Sequence, residues 1–280
     1  MKLIMFVCAC LLWIPVSAQK EKRIRVATYN LRMDTPLDNE KGNSWSRRKE
    51  HVKALIRYHD FDIVGTQEGF LHQLQDLCEI PGYAYTGGGR DDGLSAGEHS
   101  AIVYKTDRFK LLASGDFWLS ETPDKPGKGW DATCCNRICS WAKFSDVNTR
   151  KLFFVFNVHF DHQGVVARRE SAKLMLQKIG EIAGNSPVIC TGDFNSTPET
   201  EQIQTMQTIL NDAYAVTLMP PYGPVGTFND FLFEAPIKAR IDYIFLTKQF
   251  SVLKYAVLTD ALEQRYPSDH LPVVADVIIL

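Results

Sequence analysis

The chain has 280 residues, and its 45% hydrophobic and 23% charged residues are typical of a globular protein. Lysine and arginine total 31 against 33 for aspartate and glutamate. This balance argues against binding nucleic acid through bulk positive charge, although it leaves a local basic patch open. Since the sequence contains no long Gly/Ser linker and no internal repeat, one large domain is the simplest organisation.

The first 18 residues have the pattern of a cleaved signal peptide. Lys2 provides a positive start, residues 3–14 form a short apolar run, and Val16-Ser17-Ala18 is a small-residue cleavage site. The run is shorter than the roughly 20 apolar residues that a membrane-spanning helix needs. We therefore expect a leader over residues 1–18 and a catalytic domain over residues 19–280. We also expect a secreted or periplasmic protein without stable membrane association.

The expected mature domain contains an odd number of cysteines, which leaves at least one thiol unpaired within a single chain. They are Cys78, Cys134, Cys135, Cys139 and Cys190. Cys190 lies in an apolar run, which favours a buried thiol. The cluster at 134–139 lacks the paired spacing and partner histidine of a zinc site, so we do not expect a metal there. The sequence leaves the disulfide pairing open.

Strand-like and helix-like segments alternate along the chain, as judged from the spacing of apolar residues. In the first half of the chain, this spacing predicts a strand at 23–30, a helix at 46–59, a strand at 61–66 and a helix at 70–78. It then predicts strands at 101–105, 109–119 and 137–144. The second half predicts a strand at 151–160, a long helix around 172–183, a strand at 187–191, a helix starting at 197–199, a loop at 219–226, and strands at 241–247, 251–259 and 273–280.

This alternation of many strands with interspersed helices indicates a layered α/β architecture. A hairpin that pairs Phe153 with Trp141 would make the sheets mixed rather than wholly parallel. We expect Trp118, Trp130 and Trp141 to serve mainly in core packing.

Polar residues stand where several predicted strands end. They are Asn30, Gln67-Glu68, His159 with Asp161, Asp193 with Asn195, and, before the last strand, Asp269-His270. Each alone is most often a turn residue, a helix cap or a solvated side chain. Asp193 and Asn195 are two residues apart, so in extended chain their side chains share a face. Asp242 lies between apolar neighbours, where a carboxylate needs a partner such as a histidine.

Six segments contain most of these polar residues. They are Thr28-Tyr29-Asn30-Leu31, Gln67-Glu68, Asn157-Val158-His159-Phe160, Thr191-Gly192-Asp193-Phe194-Asn195-Ser196, Arg240-Ile241-Asp242-Tyr243-Ile244 and Ser268-Asp269-His270-Leu271-Pro272. In this order they resemble the motifs of the endonuclease/exonuclease/phosphatase superfamily, which includes deoxyribonucleases, abasic-site endonucleases, inositol polyphosphate 5-phosphatases, sphingomyelinases and deadenylases. The resemblance spans nearly the whole mature chain. It implies a four-layer α/β sandwich, with two mixed β-sheets packed face to face and helices on the outer faces.

The resemblance also implies a metal site and the hydrolysis of phosphate esters. Glu68 is the implied principal metal ligand, with Asn30 and Asp269 near the metal or its waters. Carboxylate and amide oxygens are hard ligands, suited to Mg²⁺ or Mn²⁺, with Ca²⁺ as a further candidate.

Five residues match catalytic positions of that superfamily. Asp193 matches the residue that orients or deprotonates the attacking water, and Asn195 matches a donor to a phosphate oxygen. His270 matches the histidine at the scissile phosphate, with Asp242 as the partner that orients it. His159 matches a second histidine near the leaving group. A carboxylate partner would also raise the pKa of His270 and select its tautomer.

Arg137 is a further candidate, because a guanidinium suits the geometry of phosphate. The alternative is an ordinary surface arginine. The glycine-rich segment 87–93 is a candidate flexible loop at the rim of the site, and it lacks the features of a phosphate-binding loop.

The sequence leaves the substrate open. We expect a phosphodiesterase or nuclease, with a phosphomonoesterase acting on a sugar or inositol phosphate as the alternative. A catalytically inactive secreted binding protein of the same fold is disfavoured, because every matched catalytic position is chemically competent. The expected partner is a phosphate-ester substrate, and no protein partner is indicated.

Overall fold

The computed structural model describes residues 22–280, so the expected leader over residues 1–18 lies outside the described residues. In chain order the elements are β1 Ile24–Asn30, α1 Pro36–Glu40, α2 Trp45–Tyr58, β2 Ile63–Gln67, α3 Leu71–Cys78, β3 Tyr83–Thr86, β4 Ile102–Lys105, β5 Phe109–Trp118, β6 Ile138–Asp146, β7 Leu152–His159, α4 Val165–Ala183, β8 Val188–Asp193, α5 Glu201–Gln207, β9 Asn211–Asp212, α6 Ala213–Val216, β10 Asp242–Leu246, β11 Phe250–Val257 and β12 Val273–Ile279. Within this part of the chain, every helix is too short or too polar to cross a bilayer.

The strands form two six-stranded sheets. The first has the order β11-β12-β1-β2-β4-β3, and the second has the order β5-β6-β7-β8-β10-β9. β1 and β2 run parallel, as do β7 and β8, whereas the other paired strands are antiparallel. In each parallel pair the connection is helical, with α1 and α2 in the first sheet and α4 in the second. The predicted mixed sheets are confirmed.

Alternating side chains of the strands build the layers. In β1, Val26 packs into the cluster between the two sheets, whereas its neighbour Ala27 packs under the helices of the first sheet. The cluster between the sheets includes Phe144 and Phe153 of the second sheet. Met175 of α4 belongs to the cluster on the outer face of that sheet. Helices therefore cover both outer faces, and the predicted four-layer sandwich is confirmed.

Some local predictions were wrong. The helix expected to start at 197–199 begins at Glu201, because residues 197–200 form a separate turn in which the Thr200 amide donates to the Thr197 carbonyl at 3.1 Å. β6 and β7 pair as predicted, but Phe153 lies opposite Phe144 rather than Trp141. The spacing of apolar residues alone does not determine the register. The short elements α1, β3, β9 and α6 went unpredicted, since they are too short to show a period.

Candidate functional site

The pairing of the strands brings their polar ends to one end of the sandwich. Asn30 lies opposite Gln67 in the first sheet, and His159 lies opposite Asp193 in the second. Asp242 of β10 also lies opposite Asp193, on the other side of β8. Since parallel neighbours end at the same edge of a sheet, the sequence pattern of polar strand ends becomes one cluster.

Asn30 connects the two sheets at this cluster. Its Nδ2 donates to Glu68 Oε1 at 2.9 Å and to Asp193 Oδ2 at 3.1 Å, while its Oδ1 accepts from the Arg32 amide at 2.9 Å. The second oxygen of Glu68 accepts from the Met33 amide at 3.2 Å. In this arrangement Asn30 holds two carboxylates in place, and its amide nitrogen rather than its oxygen faces them.

Glu68 has an unusual backbone conformation, with φ at +64°. The left-handed region costs a residue with a Cβ about 1–2 kcal/mol. Such outliers persist where the surroundings hold them, and they cluster at functional sites. Here the backbone turns at the end of β2 and presents the carboxylate to Asn30.

Buried carboxylates accumulate around this point. Burial raises the pKa of Asp193 to about 7, and the carboxylate of Asp242 adds to the effect. Burial also raises the pKa of Asp269 to about 6; Glu68 adds to this shift, while His270 and Arg32 oppose it. The guanidinium Nη1 of Arg32 lies 3.4 Å from Asp269 Oδ2. The site therefore concentrates negative charge away from water, a setting that a divalent cation would stabilise.

His270 lies beside two of these carboxylates. Its Nδ1 is 2.9 Å from Asp242 Oδ2, and its Nε2 is 3.7 Å from Asp193 Oδ2. Burial alone would lower the pKa of His270, but Asp242 and Asp193 outweigh it and hold that pKa well above the usual value. Thr227 supports the arrangement by donating its hydroxyl to Asp242 Oδ2 at 2.6 Å. The structure therefore brings His270 and Asp242 together as the sequence predicted.

His159 occupies the other side of Asp193, with Nε2 3.5 Å from Asp193 Oδ2. Burial lowers the pKa of His159 well below its usual value, and the cationic Arg137 and Arg90 add to the effect. Asn195 Nδ2 lies 3.1 Å from His159 Nε2, and the Asn195 amide donates to Asp193 Oδ1 at 2.9 Å. The predicted catalytic residues are therefore in contact with one another.

Glu98 and Arg90 also belong to this cluster, although no sequence motif singles them out. Glu98 Oε2 lies 3.9 Å from His159 Nδ1 and 2.6 Å from Arg90 Nη1. Burial raises the pKa of Glu98 to about 7, an effect that Arg90 opposes. Neither residue ends a strand. The one available signal was the glycine-rich segment 87–93, predicted as a rim loop, which places Arg90 in the site.

Arg137 lies in the wall of the site and is 5% exposed, so it is not an ordinary surface arginine. Its Nη2 is 2.8 Å from His162 Nδ1, and its Nε is 3.5 Å from Asp161 Oδ2. Asp161 itself accepts hydrogen bonds from the amides of Gln163 and Gly164 and therefore stabilises the turn before α4.

A cavity of about 520 Å³ opens above these groups. Its lining residues are Arg32, Met33, Glu68, Arg90, Glu98, Cys134, Cys135, Arg137, His159, His162, Asp193, Asn195, Phe228, Asp230, Ile241, Asp269 and His270. Cys134 and Cys135 are joined by a disulfide, whereas Cys78, Cys139 and Cys190 are free thiols. The three-cysteine group of the sequence is thus divided, with Cys139 buried in β6. Trp118 supports the wall from behind, donating from its indole nitrogen to the Arg90 carbonyl at 2.7 Å.

Comparison with known proteins agrees with this geometry. The model of the endonuclease/exonuclease/phosphatase family matches residues 27–270. The chain belongs to that family. The family's members hydrolyse phosphate esters, and the acidic groups of the cluster could hold a metal ion.

Two solved structures from Bacteroides thetaiotaomicron are similar to this chain. An endonuclease/exonuclease/phosphatase family protein is 46% identical, with a TM-score of 0.88 over 92% of this chain and 98% of that chain. A mannosyl-6-phosphatase is 45% identical, with a TM-score of 0.87 over 91% of this chain and 100% of that one. An uncharacterized protein of Acanthamoeba polyphaga mimivirus is 27% identical, over 82% of this chain and 91% of the relative.

Proposed function

We propose that the protein is a divalent-metal-dependent phosphomonoesterase that acts on a small phosphorylated sugar. The observation that carries the proposal is the cavity. It gathers Asp193, His270 and three arginines, and its volume of about 520 Å³ lies in the range of small-molecule sites. Guanidinium groups suit the dianionic phosphate of a monoester. The similarity to a mannosyl-6-phosphatase supports the same choice, so we favour the monoester alternative over the diesterase that the sequence first favoured.

The residues of the cluster fit a hard divalent cation. Carboxylate oxygens of Glu68 and Asp193 lie within 4.8 Å of each other, and Asn30 links the two side chains. In the proposal Glu68 holds Mg²⁺ or Mn²⁺, with Asp269 nearby and Asn30 positioning the carboxylates; Ca²⁺ has the same ligand preference. The bound ion would supply positive charge for the developing negative charge on phosphate.

The residues of the chain have separate roles in this proposal. Asp193 orients the attacking water and accepts its proton, and Asn195 donates to a phosphate oxygen. Protonated His270, oriented by Asp242, stabilises the negative charge on the phosphate. His159 lies on the side of the leaving oxygen. Arg137 and Arg90 bind the substrate from the wall of the cavity.

A substrate panel tests the proposal. Purified protein is assayed with mannose 6-phosphate, glucose 6-phosphate, glycerol 3-phosphate, an aryl phosphodiester and DNA, with Mg²⁺, with Mn²⁺ and with chelator. We expect the sugar phosphates to give the highest kcat/KM, and chelation to abolish activity. A higher kcat/KM for DNA or the diester would overturn the choice of substrate, and full activity in chelator would overturn the metal dependence.

The metal site has a separate test that does not depend on catalysis. Glu68→Ala should weaken Mn²⁺ binding in titration calorimetry by at least about tenfold, since a buried charged ligand is lost. Glu181→Ala, on the exposed side of α4, is the matched control and should bind Mn²⁺ as the unmodified protein does. Unchanged affinity in a folded Glu68→Ala protein would remove Glu68 from the site.

A further inference from the structure

We propose that the Cys134–Cys135 disulfide is the surface against which the sugar ring of the substrate packs. This pair would therefore select sugar phosphates over acyclic phosphate esters. The inference rests on the proposed function and names a specificity determinant for it. The two cysteines are adjacent in sequence, are bonded to each other, and line the cavity that contains Asp193 and His270.

The disulfide lies among groups that suit a sugar. The Sγ atoms and a ring nitrogen of His162 lie within 4.8 Å of one another. Since His162 Nδ1 faces the guanidinium Nη2 of Arg137 at 2.8 Å, it accepts from Arg137, and Nε2 carries the ring proton. Arg90 lines the same cavity. The disulfide thus lies beside the ring N–H of His162, which can donate to a hydroxyl group.

A disulfide between neighbours offers a particular surface. The two sulfurs are polarizable and apolar, they carry no proton to donate, and the bond removes the rotation of both side chains. A pyranose ring has C–H groups on its faces and hydroxyls around its edge. Its face can therefore pack on the sulfurs while the hydroxyls at its edge meet the ring N–H of His162. An acyclic ester has no such face to bury.

The segment that carries the disulfide is anchored at several points. Asp131 accepts from the amides of Val166 and Ala167, at 3.0 and 2.7 Å, and so ties the segment to the first turn of α4. Thr133 Oγ1 donates to Gln163 Oε1 at 2.6 Å, and its carbonyl accepts from Lys128 Nζ at 2.6 Å. The disulfide is thus held in place before the substrate arrives, which lowers the entropy cost of binding.

The test compares two substrates in three proteins. The double variant Cys134→Ser/Cys135→Ser is assayed beside the unmodified protein and Cys78→Ser, a matched control at the half-buried free thiol that ends α3. KM and kcat are measured for mannose 6-phosphate and for glycerol 3-phosphate with saturating Mg²⁺. We expect the double variant to raise KM for the sugar phosphate about fivefold to tenfold, because apolar contact is lost. Its kcat/KM for glycerol 3-phosphate should stay within about twofold of the value for the unmodified protein. Cys78→Ser should match the unmodified protein on both substrates.

A reductant provides a second test of the disulfide, and this test does not depend on correct folding of the double variant. Dithiothreitol on the unmodified protein should raise KM for mannose 6-phosphate to the same extent, and it should have no effect on the double variant. Alkylation of the denatured, unreduced protein followed by peptide mass mapping should leave residues 134 and 135 unmodified.

The outcomes separate this inference from the proposed function. The inference would be overturned if the double variant lost kcat/KM equally on both substrates or kept its KM for the sugar phosphate. Alkylation of both cysteines without reduction would also overturn it. Each of these results would leave the proposed monoesterase activity in place. Failure of the unmodified protein to hydrolyse any monoester would overturn the proposed function and the inference together.

Discussion

His270 and His159 lie on opposite sides of Asp193, with ring nitrogens 3.7 and 3.5 Å from the same carboxylate oxygen. Although both are buried, their pKa values shift in opposite directions. His270 has Asp242 in hydrogen-bond contact at 2.9 Å. The Glu98 carboxylate lies farther from His159, at 3.9 Å from Nδ1, and it is paired with Arg90.

The difference shows that a shared neighbour does not determine the charge of a buried histidine. The charge of the histidine depends on whether the groups around it are mainly negative or mainly positive. Two carboxylates outweigh burial at His270, whereas two arginines reinforce burial at His159. The cluster therefore favours a charged imidazole on one side of Asp193 and a neutral one on the other.

The largest expected effect comes from removing the charged histidine. His270→Ala should lower kcat by roughly 10²–10³, since in the proposed function the charged imidazole that stabilises the phosphate is lost. His159→Ala should cost less, because a neutral imidazole contributes position and hydrogen bonding but no charge. Steady-state assays with saturating Mg²⁺ measure both, with circular dichroism as the folding control. Turnover close to that of the unmodified protein in His270→Ala would remove its catalytic role.

The second prediction concerns the carboxylate that distinguishes the two histidines. Asp242→Asn should lower kcat less than His270→Ala does, because the imidazole remains but loses its charged partner. Combining Asp242→Asn with His270→Ala should cost little more than His270→Ala alone, since residues that act as a unit are non-additive. A double-mutant cycle on kcat measures this coupling. If the two losses simply multiply, Asp242 acts elsewhere in the core and its loss should appear in the melting temperature.

A smaller effect is expected on the other side of Asp193. Glu98→Gln keeps a hydrogen-bond acceptor for Arg90 but removes the negative charge that faces His159 Nδ1. We expect kcat to fall about tenfold or less, which is below the roughly 10²–10⁴-fold that an acid–base group itself contributes. The fall should disappear in a His159→Ala background. A fall of the same size in both backgrounds would show that Glu98 acts through Arg90 alone.

The smallest expected effect is at Thr227, whose hydroxyl donates to Asp242 Oδ2. Thr227→Val has nearly the same shape and removes that donor. It should lower stability by about 1–3 kcal/mol, because a buried carboxylate loses a hydrogen bond. Thermal denaturation measures this, and kcat should change by less than about tenfold while His270 still contacts Asp242. Unchanged stability would show that water replaces the hydroxyl.

The sequence predicted a layered α/β fold from its apolar spacing, and its resemblance to the family implied the four-layer sandwich and most of the cluster. Apolar spacing revealed the main strands and the long helices, and parallel strands must end at a common edge. Polar residues at those ends, such as Asn30 and Asp193, are individually typical of turns, and their joint role was implied by the resemblance to the family. The helices and strands depend on residues that are near one another in the chain, so local pattern was sufficient for them.

Only the tertiary structure showed which atoms face each other and which loops complete the cavity. Asn30 presents its nitrogen to Glu68 because the amide of Arg32 takes its oxygen. Glu98 meets His159 across 61 positions of sequence, and the Cys134–Cys135 loop reaches the same cavity, yet neither carries a period that would predict its place. The opposite pKa shifts of the two histidines likewise arise from charges on distant segments. Electrostatic energy depends on separation in space, and folding determines that separation for residues far apart in the chain.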